Sequence, residues 1–444
     1  MDAQNETPHT MVTTALRCTL AFAAMSLLTA APVAYARTAQ PPPPGSTGEQ
    51  YTGTATYMQK GGTAAKVNRT FVAKHADQSG VMVTNGGTLK LTHSKVRTSG
   101  DTMSSDESSF YGLNAGVLAK SASHVTLAKS SITTSGSGAN GAFATGSGSW
   151  LHLSDVDIKA TGGGGHGIDA TQGASIAAKN ATISTAGQSA ADIATDRGGG
   201  TVTVAGGTMQ ASGYRSPGIY STGKIVVSGA KLTATGAEGA VVEGGNSINL
   251  NDTFLKGTKN WGVMLYNSMS GDAAQGTGTF TMEGGSLTAV SGPAFYVTNA
   301  KADITLKGSA HVVTSSRKLV LANSDGTGSG NAGPGHVLFK ADEEALTGRI
   351  VAKGTSTISA ILRNHTVLKD VILGAALHLD GSSRWIVTAN SALTSLTGAT
   401  VTGSSITNIV GHGHMVTYDK SLAANKWLGG KTYKLADGGK LVGV

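Results

Sequence analysis

Cysteine is almost missing from this 444-residue chain, charged residues make up only 14% and aromatic residues only 5%. The single cysteine, Cys18, lies in an N-terminal segment that reads as a cleaved leader, so the mature protein carries no thiol. That excludes disulfides, zinc–thiolate sites and a cysteine nucleophile. No run of Lys and Arg exceeds two residues, which favours a solvated outer surface over a site for anionic polysaccharide, lipid headgroups or extracellular DNA, and sequence-specific nucleic-acid binding is not expected. No apolar stretch reaches the roughly 20 residues that a membrane-spanning helix needs, so an integral membrane protein is not expected.

The longest apolar run, LAFAAMSLLTAAPVA, follows Arg17 and precedes Ala34-Tyr35-Ala36. A basic residue, about 15 mostly apolar residues and an A-x-A site read as a signal peptide over residues 1–36. The expectation is a secreted or cell-surface protein. Loss of Arg17, Asp2 and Glu6 with that leader raises the net charge from +8 to +9. The surplus is scattered, as on a solvated outer surface whose lysines discourage strand pairing. Residues 37–53, with four consecutive prolines at Pro41, Pro42, Pro43 and Pro44, read as a polyproline linker.

Glycine is abundant, 63 residues, at roughly twice ordinary usage. It recurs within a repeat. Residues 141–236 state nearly the same unit four times, each copy holding three short apolar runs separated by Gly, Ser, Asn and Thr. A fixed period of about 22–26 residues with strand-like pieces is the mark of a solenoid. The reading is an all-β chain: a single parallel β-helix of about 12–15 coils over residues 54–432, with residues 433–444 as a C-terminal cap.

Three columns align. The first is Leu91, Leu127, Leu153, Ala178, Val204, Val227, Leu250, Met282 and Leu306. The second is Val96, Ile132, Ile158, Ile183, Met209 and Leu232, each followed four residues later by glycine. Alternation at period 2 points both columns inward. The glycine ladder, Gly100, Gly136, Gly162, Gly187, Gly213 and Gly236, reads as a corner requiring positive φ.

The third column has inward positions Val117, Ala142, Ile168, Asp192, Ile219, Val241, Val263 and Phe295. The residues after them should face out, yet all but Asp169 are apolar or aromatic. They include Leu118, Phe143, Ile193, Tyr220, Val242, Met264 and Tyr296, with Tyr266 close by. These eight are the candidate ligand-binding face, because a solenoid has no need of an outward apolar stripe. A one-residue slip that turns Ile193 inward would remove the anomaly of an inward Asp192. Insertions at residues 101–111, 267–277 and 322–335 adjoin this column and either cover the stripe or frame it.

Residues 377–401 hold Trp385, Val387, Thr388, Ser391 and Leu393 in the pattern W-x-V-T-x-x-S-x-L. This resembles the element near the end of pertactin-like autotransporter passenger domains, and residues 81–444 are similar to bacterial secreted β-helix repeat proteins. The resemblance implies a right-handed solenoid. It also implies a C-terminal membrane barrel, whose alternating strands of roughly 9–11 residues are not found up to Val444. Release, retention at the surface by other means, or an outer-membrane anchor on a separate chain are the arrangements to expect.

For chemistry, two G-H-G triplets stand out, Gly165-His166-Gly167 and Gly411-His412-Gly413, a motif that marks polygalacturonase-like β-helix enzymes. The accompanying Asp-Asp pair and R-I-K segment are absent, so no catalytic residue is assigned. Asp155, Asp157, Asp169, Asp192 and Asp196, near Arg197 and Lys179, crowd into about two coils. They occupy different columns, which favours separate solvated carboxylates over a calcium site. His412 and His414 alone do not define a metal site, and no cofactor or metal is assigned. The sequence thus points to an adhesin-like protein binding polysaccharide or another host or cell-surface ligand along one face. A polysaccharide lyase or glycoside hydrolase and a plain structural spacer are the alternatives.

Overall fold

A computed structural model describes residues 53–268 and 272–444; the expected signal peptide and nearly all of the expected linker lie outside the described residues. The described residues form a parallel β-solenoid of about 15 turns. Each coil contributes a strand to three faces, and each strand pairs in parallel with its equivalent one coil later. Leu91, Leu127 and Leu153 stand in one register on the first face, and Val96, Ile132, Ile158 and Ile183 in one on the second. All of these are buried in a single continuous core. Closure of the coil buries the inner side of every strand, which is why parallel pairing suits a chain of Val, Ile, Leu and Ala ladders.

The glycine ladder is needed for a different reason from the one its spacing suggests. None of its six members has positive φ. A Cβ on Gly136, Gly162, Gly187 or Gly213 would lie within 2.0 Å of the carbonyl oxygen of the ladder glycine one coil earlier. Successive backbones approach so closely here that no side chain fits. The left-handed corner falls elsewhere, between the first and second faces, at His93, Lys129, Asp155, Asn180, Gly206, Gly229 and Asp252.

Strands Thr54–Lys60, Thr63–Val67 and Thr70–Ala73 make the first described coil. At the other end Tyr433–Ala436 and Lys440–Gly443 pair antiparallel with each other while stacking on the preceding coil. The W-x-V-T element is organised about Asp370. Trp385 is fully buried and its indole N–H donates to the Asp370 carbonyl at 2.9 Å, while Thr388 Oγ1 donates to the Asp370 carboxylate at 3.0 Å. Arg317 pairs with the same carboxylate at 3.1 Å.

Candidate functional site

The third face carries the site. Its strands include Val117–Ala119, Ala142–Thr145, Ile168–Thr171, Ile193–Thr195, Ile219–Ser221, Ala240–Glu243 and Val263–Tyr266. Register fixes which side chains point outward. Ile168 pairs with Ile193 and Ile193 with Ile219, so Ile193 belongs to the inward ladder and is fully buried in the core. Asp192 precedes the strand. Likewise Ala240 pairs with Ile219 and Val241 with Tyr220, which turns Val242 inward and Val241 outward. Ile193 and Val242 are therefore core residues, not part of an outward face.

The true outward row runs through Leu118, Phe143, Asp169, Ala194, Tyr220, Val241, Met264 and Tyr296. Its apolar members are covered at both ends. Leu118 and Phe143 form a patch with Met82 and Ala115. The helix Ser105–Tyr111, from the first insertion, begins on Ser104 as N-cap and ends at Gly112 with φ 73°. A Cβ on Gly112 would lie 2.6 Å from the Phe143 ring, so the helix end packs directly on that patch. Farther along, Met264 and Tyr296 lie in a second patch with Val241, Leu321 and Val351. Trp261 stacks on Tyr296 with ring centroids 4.2 Å apart, and the Tyr296 hydroxyl donates to Asp325 of the third insertion at 2.8 Å.

Between the patches a groove of about 1020 Å³ opens, and Ser109, Asp272 and the Thr327-Gly328 pair bring all three insertions to its rim. Tyr220 and Tyr266 reach it half-buried, beside Tyr214, Trp261, Arg215 and Lys259. Of the eight residues expected on a binding face, Tyr220, Met264 and Tyr266 line this groove.

A second outward row, two residues along, supplies the acids: Thr145 pairs with Thr171 and Glu243 with Tyr266, and Asp196 and Thr222 follow directly on the ends of their strands. Glu243 accepts hydrogen bonds from the Tyr220 hydroxyl at 2.6 Å, the Tyr266 hydroxyl at 2.9 Å and the Ser268 hydroxyl. Burial, and then the Glu243 charge, hold both phenols above the ordinary tyrosine range. Asp196 is 8% exposed at the groove floor. Burial, followed by the Asp272 charge, pushes its carboxyl up to about 7, although the Arg197 amide donates to it at 2.8 Å.

Behind Asp196 lies Asp169, fully buried, with neither oxygen in a hydrogen bond of full geometry. Burial and then the Asp196 charge raise it well above the carboxylate range, an effect the nearby Ala170 and Asp196 amides only partly offset. Arg197, next in sequence to Asp196, is turned away: its guanidinium pairs with Asp272 and lies 4.3 Å from the centre of the Phe110 ring. The five crowded aspartates thus divide. Asp155 and Asp157 are exposed, while Asp169, Asp192 and Asp196 are buried.

His166 completes the cluster, its ligating atom and those of Asp169 and Asp196 lying within 4.8 Å of one another. That spacing would admit a cation, but Nδ1 accepts the Ala191 backbone N–H at 2.9 Å. The neutral ring therefore carries its proton on Nε2 and has no unused lone pair for a metal. Burial lowers His166 to about 4, so the ring stays neutral. The glycines around His166 have a packing role of their own: a Cβ on Gly165 would meet the Ala139 carbonyl at 2.5 Å, and one on Gly167 the Ile183 side chain at 2.3 Å and the Asp192 carbonyl at 2.6 Å. The second triplet is unrelated, since His412 pairs with Asp437 on the exposed surface.

Among the described residues no helix is long and apolar enough to cross a membrane. No protein-family model matches the chain, and a search of curated proteins finds no match.

Proposed function

We propose that this is an exported, adhesin-like solenoid that binds a glycan in the third-face groove, of the general kind seen in pertactin-like passenger domains. The observation that carries the reading is the lining. Aromatic rings from Tyr214, Tyr220, Trp261 and Tyr266 meet hydrogen-bonding groups from Asp196, Glu238, Asn260 and Arg215 in one groove. Sugar rings present apolar C–H faces and polar hydroxyl edges, and a mixed aromatic and polar cleft matches both. Tyr214 is 70% exposed at the groove, which leaves its ring available for such stacking.

A glycan array tests the reading, followed by calorimetry on the glycans that bind. Tyr214→Ala should weaken binding about tenfold, equivalent to roughly 1.4 kcal/mol. A protein that binds nothing on the array is the structural spacer instead.

A further inference from the structure

We propose that the groove also hydrolyses the glycan it holds, with Asp196 as general acid and Asp272 as the carboxylate that receives the proton of the attacking water. This rests on the glycan reading of the groove. Three observations carry it.

The first is the position of the two carboxyl groups. Asp196 comes from a rigid strand end at the groove floor and Asp272 from the second insertion at its wall, and both line the same cavity. They sense each other, the Asp272 charge being the largest charge effect on Asp196. Yet their surroundings differ: the Arg197 guanidinium pairs directly with Asp272, whereas Asp196 feels that charge only as the weakest of the influences on it. Two carboxyls in one cleft, one in a direct ion pair and one dominated by burial, is the arrangement that separates an acid from a base.

The second is Asp169. A purely structural buried carboxylate should collect hydrogen bonds or an arginine. Asp169 has only the partial support of the Ala170 and Asp196 amides and no arginine, although Arg197 is adjacent to Asp196 in sequence. Its buried carboxyl stands beside Asp196, and two like charges so placed disfavour ionising both. Asp169 is accordingly a positioning residue that acts through Asp196.

The third is His166. With Nδ1 occupied by the Ala191 amide, the ring can neither ligate a metal nor take a proton from water. Chemistry at this site therefore falls to the carboxyl groups.

In the reaction the Asp196 proton passes to the glycosidic oxygen as the bond between that oxygen and the anomeric carbon breaks, the bonding pair leaving with the oxygen. Water attacks the anomeric carbon and gives its proton to Asp272. One glycoside and one water become two hydroxyl-bearing products, and solvent returns the proton from Asp272 to Asp196.

The test uses the full exported chain and measures reducing ends released from xylan, galactan, β-glucan, chitosan, polygalacturonate and any glycan that binds on the array. Wild type should release reducing ends from a glycan it binds, with a rate that falls as pH rises through about 7. Asp196→Asn should lower the rate at least about 100-fold while binding stays within about threefold. Asp169→Asn should move the descending limb of the pH profile, a change that a merely structural role would not produce. If Asp196→Asn does not fold, the wild-type profile decides, and a flat rate from pH 5 to 9 overturns the assignment. Release that survives in Asp196→Asn, or release abolished by EDTA and restored by a divalent cation, also overturns it. Binding without release between pH 4 and 8 overturns hydrolysis and leaves the binding protein; absence of both overturns the two readings together.

Discussion

A methyl group built on Gly162 would sit 1.8 Å from the carbonyl oxygen of Gly136, one coil earlier. The contact is backbone against backbone, so no rotamer change relieves it, and the parallel pairing on either side holds the coils in place. Gly162→Ala should destabilise the solenoid by about 3 kcal/mol or more. Its neighbour provides the control. A Cβ on Gly163 meets nothing closer than 3.7 Å, and Gly163 has no positive φ, so Gly163→Ala should be neutral or slightly stabilising. Thermal melts of the two variants side by side decide the point, and equal behaviour would refute a close-approach ladder.

Stability should rise as the solution is made mildly acidic. Asp169, Asp192 and Asp196 are all raised, chiefly by burial, with Asp196 at about 7 against an ordinary 3.8. Across that interval the folded chain holds protons that the unfolded chain has lost. Their stabilising contribution is complete below about pH 4 and disappears as pH climbs past the folded values. His166 opposes this: lowered by burial to about 4 from 6.5, it costs stability as pH falls through that range. Three carboxyls raised in the same direction outweigh one lowered imidazole. The melting temperature should therefore be higher at pH 5.5 than at pH 8, and Asp192→Asn should reduce the difference.

The first two faces were legible in the sequence because each has one buried side. Leu127 and Ile132 alternate with polar neighbours, and period 2 then identifies inside from outside. On the third face the rule loses its signal. Phe143 points outward and Ile193 inward, yet both are fully buried, since the helix over residues 105–111 covers the outer side. With apolar residues on both sides a strand reads the same in either register. Asp196 showed only as one of five crowded aspartates, and Glu243 and Asp272 escaped notice altogether, for a related reason. Asp196, Glu243 and Asp272 meet across several coils and an insertion, and only the register of coils of unequal length brings them together. The spacing of the second outward row, two residues beyond the first, was the available clue.

The first insertion should loosen on a single hydroxyl deletion. Thr171 Oγ1 lies 2.8 Å from the Phe110 carbonyl oxygen and 2.8 Å from Thr145 Oγ1, tying the helix to the floor of the third face. Thr171→Val keeps the volume and removes the donor, leaving that carbonyl with the weaker partners Thr145 at 3.3 Å and Gln172 at 3.4 Å. The expected cost is about 1 kcal/mol. Because the bond is local, hydrogen exchange should quicken over residues 104–113 before the global melt moves appreciably. Uniform acceleration over the whole solenoid would contradict this.

Phe143 and Tyr214 separate the covered stripe from the open groove. Phe143 is fully buried against Gly112, Leu118 and Ala115, so its aromatic ring belongs to packing despite its outward direction. Phe143→Ala should cost about 3–5 kcal/mol and detach the helix end, since a large cavity opens beneath it. Tyr214 is 70% exposed and lines the groove, so Tyr214→Ala should leave the melting temperature nearly unchanged while weakening glycan binding. The pair therefore predicts a crossed outcome: stability lost in one variant and affinity in the other. If Phe143→Ala instead kept full stability and lost only binding, the outward stripe itself would be the ligand surface and the helix a cover that opens over it.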